Sequence, residues 1–278
     1  MSLFVASLNS GSNGNCYYVG NGEEAILVDG GISCRETEKR MKRLELSMRQ
    51  VKAIFVTHEH GDHIHGVPVL ARRHDLPVYI TSHTLQRGGL EVKQSLVRPF
   101  RAHEPVEIGS LKVTAFPKLH DACDPHSFIV ENQGVTVGVF TDIGFACEHV
   151  TRHFQQCHAA FLEANYDEDM LEQGRYPWPL KTRIRGGHGH LSNRQAMELF
   201  VNHRPAFMSH LFLAHLSRDN NRPAIVQQLF DNVAAGTTIV AASRDQESEV
   251  YHINDTFRRT DFTIPRIPVR RMQQLSLF

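Results

Sequence analysis

Thr57-His58-Glu59-His60-Gly61-Asp62-His63 brings three imidazoles and the carboxylate of Asp62 together within a few residues of each other. The stretch directly follows the apolar run 51–56, which is typical of a buried strand. Imidazole suits zinc, iron and manganese, and carboxylate suits the harder of these ions, so the pattern indicates a metal centre at a strand end. It is not the His-Glu-x-x-His helix of zinc proteases, because Asp62 stands where the second histidine should be.

The spacing within this stretch allows two ions to be bound side by side. Gly61 permits a tight turn between the two halves of the stretch. His58 and His60 can then face one ion while Asp62 and His63 face a second one.

Length and charge set few limits on this chain. It has 278 residues with 41% apolar content, which is enough for one large domain or two small ones. Thirty basic and thirty acidic residues cancel, so no overall field points to a nucleic acid or a membrane. Any site for a polyanion must therefore be local.

Cysteine usage and the N-terminal sequence predict the compartment. The five cysteines are odd in number and form no Cys-x-x-Cys pair, which argues for a reducing compartment and against a thiolate-bound zinc. The N-terminus has no secretory signal, and no apolar run approaches the roughly 18 residues of a membrane span. We expect a soluble, cytoplasmic protein with no membrane association.

Strand and helix patterns alternate along the chain, as in layered α/β folds. Predicted strands cover residues 3–8, 17–19, 25–29, 51–56, 78–80, 96–100, 106–108, 111–116, 127–130, 135–140, 160–162, 206–208 and 238–240. Predicted helices include one capped by Ser33 and others at 67–74, 145–155, 167–173, 193–203 and 223–230. Two mixed sheets with helices outside accommodate this order, as a single αββα domain over 1–278 with 254–278 a loosely attached tail.

Two polar segments near the N-terminus have structural interpretations. The glycine-rich segment 9–15 joins two predicted strands and lacks Gly-Lys-Ser/Thr, so it is a hairpin loop rather than a phosphate cradle. Asp29 ends the strand 25–29 and either supports the metal loop or only forms a turn.

A centre with two metals needs further ligands, and they should lie at other strand ends. His120 follows one predicted strand, and Asp142 ends another, where a carboxylate could bridge two cations and offset their repulsion. His215 follows the apolar run that contains Leu213, and His210 is the alternative to it.

The His-x-His-x-Asp-His pattern resembles the signature of the metallo-β-lactamase fold superfamily, which implies a four-layer αββα sandwich. Its later motifs have the same order and strand-end placement as the candidates here. The resemblance implies that His120 completes the first metal site, Asp142 bridges and His215 completes the second. Asp142 separates the chain from the lactamase branch, which has cysteine there, and His60 stands where flavodiiron oxidoreductases carry glutamate. The hydrolytic branch is therefore favoured.

Segments 10–16, 162–167, 189–193 and 215–221 resemble the YycJ (also WalJ) group, with similarity up to about residue 243. That group is associated with 5′-to-3′ exonuclease action on DNA and is related to tRNA 3′-processing nucleases and cyclic phosphodiesterases. By that relation Glu163 and His190 form a pair beside the metals. His188 has no counterpart, and the lack of a long flexible arm argues against a tRNA substrate.

The resemblance implies phosphodiester hydrolysis with two divalent ions, Zn²⁺ or Mn²⁺ or Fe²⁺, as cofactors. Ions in such a pair lower the pKa of water from about 15.7 to about 7, which supplies hydroxide at neutral pH. Asp62 belongs to the reacting centre, and His190, held by Glu163, would act on the phosphate charge or the leaving-group proton. The alternative is a helix cap at His190 and a surface carboxylate at Glu163.

A basic cluster precedes the Gly-His segment and would suit a DNA backbone that enters the site. Its substrate-binding candidates are Lys181, Arg183 and Arg185, interleaved with Tyr176 and Trp178, which could stack on bases. The alternative is a solvated loop in which Trp178 packs on the core.

The preferred function is a dinuclear metal-dependent phosphodiesterase that acts as a DNA exonuclease. A hydrolase of small cyclic phosphodiesters or thioesters needs no DNA channel and is the runner-up. A non-catalytic nucleic-acid or protein-binding module is a third possibility, against which the intact ligand set counts. The sequence leaves open the metal, the strand polarity, the oligomeric state and any protein partners.

Overall fold

A computed structural model describes residues 2–255, which contain two seven-stranded mixed β-sheets. The first sheet contains β1 (Ser2–Asn9), β2 (Cys16–Gly20), β3 (Ala25–Val28), β4 (Val51–Phe55), β5 (Val78–Tyr79) and β6 (Val97–Arg98). The second contains β7 (Pro105–Ile108), β8 (Leu111–Pro117), β9 (His126–Asn132), β10 (Val135–Phe140), β11 (Ala159–Glu163), β12 (His210–Ala214) and β13 (Thr238–Ala241). The last strand, β14 (Tyr251–Asn254), returns to the first sheet beside β1.

Helices connect the strands and cover the outer faces of the sheets. They are α1 (Cys34–Arg43), α2 (Gly61–Ile64), α3 (Val67–His74), α4 (Ser82–Arg87), α5 (Glu148–Phe154), α6 (Glu168–Gln173), α7 (Trp178–Arg185), α8 (Asn193–His203) and α9 (Pro223–Asp231). Helices α1 and α3 pack on the first sheet, and α5, α8 and α9 pack on the second. The predicted αββα fold class is confirmed.

The core between the two sheets consists of aromatic and branched side chains from both inner faces. Phe55 of β4 meets Phe128 of β9 with ring centroids 5.4 Å apart, and Tyr17 of β2 meets Phe161 of β11 at 4.8 Å. Each of these four side chains is almost wholly buried, which stabilises the fold by about 1.5–3 kcal/mol per side chain. The sandwich is therefore held by a dry interior, and polar groups collect at its edge.

Parallel strand pairs place the polar groups at that edge. Strands β3 and β4 are parallel, and so are β10, β11 and β12. Side chains directly after the ends of parallel strands gather at one edge of a sheet, where α/β proteins bind ligands. Asp29, His58, Asp142, Glu163 and His215 all stand at or just after such ends.

Several segments differ from the sequence prediction. The strand predicted at 206–208 is wrong: Met208 N donates to the Pro205 carbonyl at 3.0 Å in a turn, and the strand begins at His210. The strand predicted at 96–100 is only Val97–Arg98, after a 3₁₀ turn. Residues 178–185, for which no helix was predicted and a solvated loop was the alternative, form a helix. Asn254 pairs with Ser2, and residues 256–278 of the predicted tail lie outside the described residues.

Candidate metal centre

Three histidines form a first group of converging ligand atoms. His58 Nε2 lies 3.1 Å from His60 Nδ1, and His120 Nε2 lies 3.3 Å from the same atom. His58 and His120 are buried, and His60 is partly exposed. Ring nitrogens that face one another this closely have the arrangement in which imidazoles share a cation.

A second group joins the short helix α2 to the end of β12. Asp62 Oδ2 lies 3.5 Å from His63 Nε2 and 3.4 Å from His215 Nε2. The three ligand atoms all lie within 4.8 Å of one another. The structure therefore brings Asp62 and His63 together with a histidine more than 150 residues away along the chain.

Asp142 lies between the two groups. Its Oδ2 is 3.1 Å from His63 Nε2, and its Oδ1 is 3.7 Å from His120 Nε2. Oδ2 is buried and makes no hydrogen bond, an arrangement that normally costs about 1–3 kcal/mol. A buried carboxylate oxygen without a donor, beside several imidazoles, fits a position that bridges two cations.

The two candidates on β12 are far apart. His210 begins the strand, and its Nδ1 lies 2.9 Å from Ser209 Oγ. Five residue steps along the strand separate it from His215, about 16 Å at roughly 3.3 Å per step. The structure brings His215 to the two groups and leaves His210 at the other end of the sheet.

Asp29 and Thr57 hold the outward nitrogens of two of these histidines. Asp29 Oδ2 accepts from His63 Nδ1 at 2.7 Å and from the Thr57 hydroxyl at 2.9 Å. The Thr57 hydroxyl in turn lies 2.8 Å from His58 Nδ1. Since each Nδ1 is used outside the centre, each Nε2 carries a lone pair that points into it.

Glu163 holds a further pair of histidines. Its Oε1 accepts from His190 Nδ1 and from His215 Nδ1, each at 2.8 Å, and its Oε2 accepts from Ile143 N at 2.7 Å and Leu191 N at 3.1 Å. Glu163 is fully buried, so it is not a surface carboxylate. One carboxylate thus orients both a candidate ligand and the histidine beside it.

The centre concentrates negative charge. Burial alone would raise carboxyl pKa values, but His63 and His215 hold the pKa of Asp62 well below its ordinary value. In the same way His190 and His215 lower the pKa of Glu163 to about 2. Burial would lower the pKa of His215, yet Asp142, Asp62 and Glu163 raise it to about 10. Ionised carboxylates at neutral pH are the partners that divalent cations require.

Backbone conformation at the strand ends is unusual. Asp29, Asp142 and His215 adopt φ values of 62°, 55° and 53°. Non-glycine residues rarely occupy this left-handed region, and they do so mainly at functional sites. Each of these left-handed residues lies within two positions of the end of a strand, and its side chain contacts the centre.

Two polar residues at this centre were not recognised in the sequence. Asn15 Nδ2 lies 3.2 Å from Asp62 Oδ2 and 3.1 Å from His63 Nε2. Ser10 Oγ accepts from the backbone N–H of His215 at 2.7 Å. Both belong to the glycine-rich segment 9–15, whose spacing shows a hairpin loop and gives no sign of these contacts.

The basic candidates lie on α7 and are engaged within the chain. Lys181 is buried and donates to the backbone carbonyl of Glu172. Arg183 is exposed and paired with the Asp121 carboxylate, while Arg185 contacts the Glu172 carboxylate at 3.1 Å. The exposed basic groups of this helix are therefore the two arginines.

The aromatic side chains near α7 have different environments. Trp178 is 63% exposed and carries the Arg185 guanidinium 4.5 Å above its ring, so it is not packed on the core. Tyr176 donates its hydroxyl hydrogen to Asp219 at 2.9 Å. Trp178 is thus the aromatic ring that this region presents to solvent.

All five cysteines lie within residues 2–255, and none forms a disulfide. Within the same range, every helix is too short or too polar to cross a bilayer.

Comparison with known proteins gives consistent matches. A family model described as a beta-lactamase superfamily domain matches residues 24–215. The chain is 33% identical over 275 residues to the exodeoxyribonuclease YycJ of Bacillus anthracis, a match that covers 97% of this chain and 98% of that protein. It is 30% identical over 221 residues to the exodeoxyribonuclease WalJ of Streptococcus pneumoniae, covering 77% and 81%.

A solved structure shows the same architecture. The metallo-β-lactamase fold protein YhfI from Bacillus subtilis has a TM-score of 0.69 at 15% identity, covering 91% of this chain and 100% of that one. At this identity the likeness shows the fold alone. The matches together confirm the expected superfamily and, with it, a metal-dependent hydrolase. The chain therefore belongs to the metallo-β-lactamase superfamily and, within it, to the family of the YycJ and WalJ proteins.

Proposed function

We propose that this chain is a dinuclear metal-dependent phosphodiesterase that degrades DNA from the 5′ end. The observation that carries the proposal is the pair of three-ligand groups with Asp142 between them. The near full-length relatives named exodeoxyribonucleases support DNA as the substrate. The unpaired cysteines support a reducing, cytoplasmic location.

The side chains that would hold two divalent ions fall into a simple scheme. Asp142 would bridge, and each ion would have three further ligands, namely His58, His60 and His120 for one and Asp62, His63 and His215 for the other. Zn²⁺, Mn²⁺ and Fe²⁺ all suit this set of imidazoles and carboxylates. Ions bound there would lower the pKa of water from about 15.7 to about 7 and offset phosphate charge.

The chain's own residues would supply proton control and orientation. His190 uses Nδ1 on Glu163, so its Nε2 is available to a phosphate oxygen or to the leaving oxygen. The His190 side chain is 20% exposed, which lets a substrate reach it, and Glu163 is wholly buried, which keeps the ring fixed. The Asp62 side chain is 21% exposed, and its carboxylate can orient a water molecule by accepting its hydrogen bond.

The DNA backbone would follow the exposed arginines of α7. Arg183 and Arg185 can exchange their carboxylate partners for phosphates, because surface ion pairs contribute only about 0–1 kcal/mol. Lys181, the third candidate from the sequence, is buried and donates to the Glu172 carbonyl, so we propose that it stabilises the helix and does not contact the substrate. Substrate contact in this region would then fall to the two arginines.

An end-labelled single strand tests both reaction and polarity. Metal-free protein would be supplied with Zn²⁺, Mn²⁺ or Fe²⁺ and incubated with the same oligonucleotide labelled at either the 5′ or the 3′ end. Early release of a labelled mononucleotide only from the 5′-labelled strand is expected. No degradation with any of the three metals, together with cleavage of a cyclic phosphodiester, would replace this proposal with the small-molecule hydrolase.

A further inference from the structure

Two large apolar side chains are exposed together beside the candidate metal centre. Leu119 is 39% exposed and Phe145 is 56% exposed, and the two residues form an antiparallel β-bridge. The backbone is fixed by Gly144 N, which donates to the Leu119 carbonyl at 2.7 Å. Single exposed apolar residues are common, but a bridged pair at the mouth of a site needs an explanation.

Both residues lie close to candidate ligands along the chain. Leu119 directly precedes His120, and Phe145 follows Asp142 by three positions. The bridge therefore ties together the loops that carry a ligand of the first group and the bridging carboxylate. Anything that contacts Phe145 would lie beside the atoms that react.

The backbone next to Phe145 packs tightly against the segment that contains Gly187 and His188. A Cβ added at Gly144 would lie 2.4 Å from the Gly187 carbonyl oxygen and 2.5 Å from His188 Cα, so the two backbones are in direct contact. That segment leads into His190. Phe145 is thus an exposed ring that follows a backbone position held between two loops of the site.

A cavity of about 260 Å³ adjoins the same ring. It lies between α5 and α8, and its walls combine the apolar side chains of Phe145, Leu191 and Leu199 with polar groups that include the Glu198 carboxylate. Leu191 is also the residue whose N–H binds Glu163 Oε2 at 3.1 Å. An apolar surface with a polar border, next to a phosphodiesterase centre, matches the chemistry of a heterocyclic base and not that of a phosphate.

We propose that Phe145, supported by Leu119, stacks on the nucleobase next to the scissile phosphate. This inference rests on the proposed function and names the form of DNA that the site accepts. A base offers both faces to a protein ring only when it is unpaired and unstacked, so we infer that the preferred substrate is a strand end with unpaired bases. Stacking needs only the flat face that every base has, so the contact does not select a sequence.

The test compares protein variants with matched DNA ends. Phe145→Ala removes the ring, Phe145→Leu keeps apolar surface without aromaticity, and Phe145→Tyr keeps the ring. Phe207→Ala is the control, because Phe207 is 36% exposed in the turn before β12 and packs on His158. Each protein is assayed on a natural single strand and on the same strand with abasic residues on both sides of the first scissile bond.

A base contact predicts non-additive losses. Phe145→Ala should lower kcat/KM on the natural strand by about 5- to 150-fold, which is the range for the loss of one base–aromatic stack. The kcat/KM of Phe145→Leu should lie between those of the wild type and Phe145→Ala. For the wild type, kcat/KM should be lower on the abasic strand than on the natural strand by a similar factor. On the abasic strand, Phe145→Ala and the wild type should have nearly the same kcat/KM. Phe145→Tyr and Phe207→Ala should match the wild type on both.

Two negative results have separate meanings. If the wild type degrades DNA but Phe145→Ala loses the same factor on natural and abasic strands, or loses nothing, the stacking inference is overturned and the proposed function stands. If the wild type degrades neither strand with any metal, the proposed function fails and the inference fails with it.

Discussion

Replacing Asp29 with asparagine tests how the second ligand group is held. Asparagine has the same shape and tolerates the left-handed backbone at this position, where φ is 62°. Its amide oxygen can keep the bond from Thr57 N, which is 2.8 Å long. The NH₂ group then replaces Oδ2, which lies 2.7 Å from His63 Nδ1. Two N–H donors would therefore face each other.

The magnitude follows from the loss of that acceptor. Carboxylates that orient a metal-binding histidine typically account for 10- to 100-fold in metal affinity, or about 1.4–2.7 kcal/mol. We expect a loss of that size for the ion held by His63 and Asp62. The ion held by His58 should lose less, because His58 Nδ1 keeps its partner Thr57 at 2.8 Å.

Calorimetric titration of metal-free protein can resolve the two binding steps, and elemental analysis at limiting metal gives the stoichiometry. Asp75→Asn is the matched control, because Asp75 is also left-handed, with φ 52°, and caps the C-terminus of α3. The control should bind both ions normally. Unchanged affinity at both steps in Asp29→Asn, or equal losses in the two variants, would refute the role of Asp29.

Three further experiments test the remaining metal ligands and the arginines of α7. Asp142→Ala should lose bound metal and at least about 100-fold in turnover, as measured by elemental analysis and DNA hydrolysis, because the proposed bridge is removed; full metal content would contradict it. His215→Ala should weaken the second metal step much more than His210→Ala in the same titration, and the reverse order would exchange their roles. Replacing Arg183 and Arg185 with alanine should reduce the slope of log binding constant against log salt concentration for single-stranded DNA by about 1.4, since each lost phosphate contact contributes about 0.7. An unchanged slope would exclude phosphate contacts by both arginines.

The part of the site that the sequence reveals is the part encoded locally. His58, His60, Asp62 and His63 follow one buried strand, so the alternation of strand and polar loop is enough to predict that they converge. Helix α8 was predictable over Asn193–His203 for the same reason, since its cap and its apolar period lie within a few residues. Local patterns carry such information without any knowledge of the fold.

The remaining contacts depend on distant residues, and no spacing predicts them. Glu163 reaches His190 and His215, which lie 27 and 52 positions further along the chain. Asn15 reaches His63 across 48 positions. Apolarity alone also placed a strand at 206–208, where Pro205 begins a turn and the paired strand lies further on. Pairing between strands, which decides such cases, is a property of the whole sheet.

The left-handed backbone at Asp29, Asp142 and His215 lowers the stability of the fold at residues of the candidate metal centre. Each of these conformations costs about 1–3 kcal/mol for a residue with a side chain, and glycine would adopt the same angles without that cost. At Asp29 and His215 hydrogen bonds to buried partners offset that cost, whereas Asp142 Oδ2 has no donor. Selection of random variants for heat resistance alone should therefore enrich glycine in place of Asp142 and remove the proposed metal bridge. A natural lineage that has lost its substrate would drift in the same direction, so glycine in place of Asp142 in a relative would mark a protein that keeps the fold without the hydrolase activity.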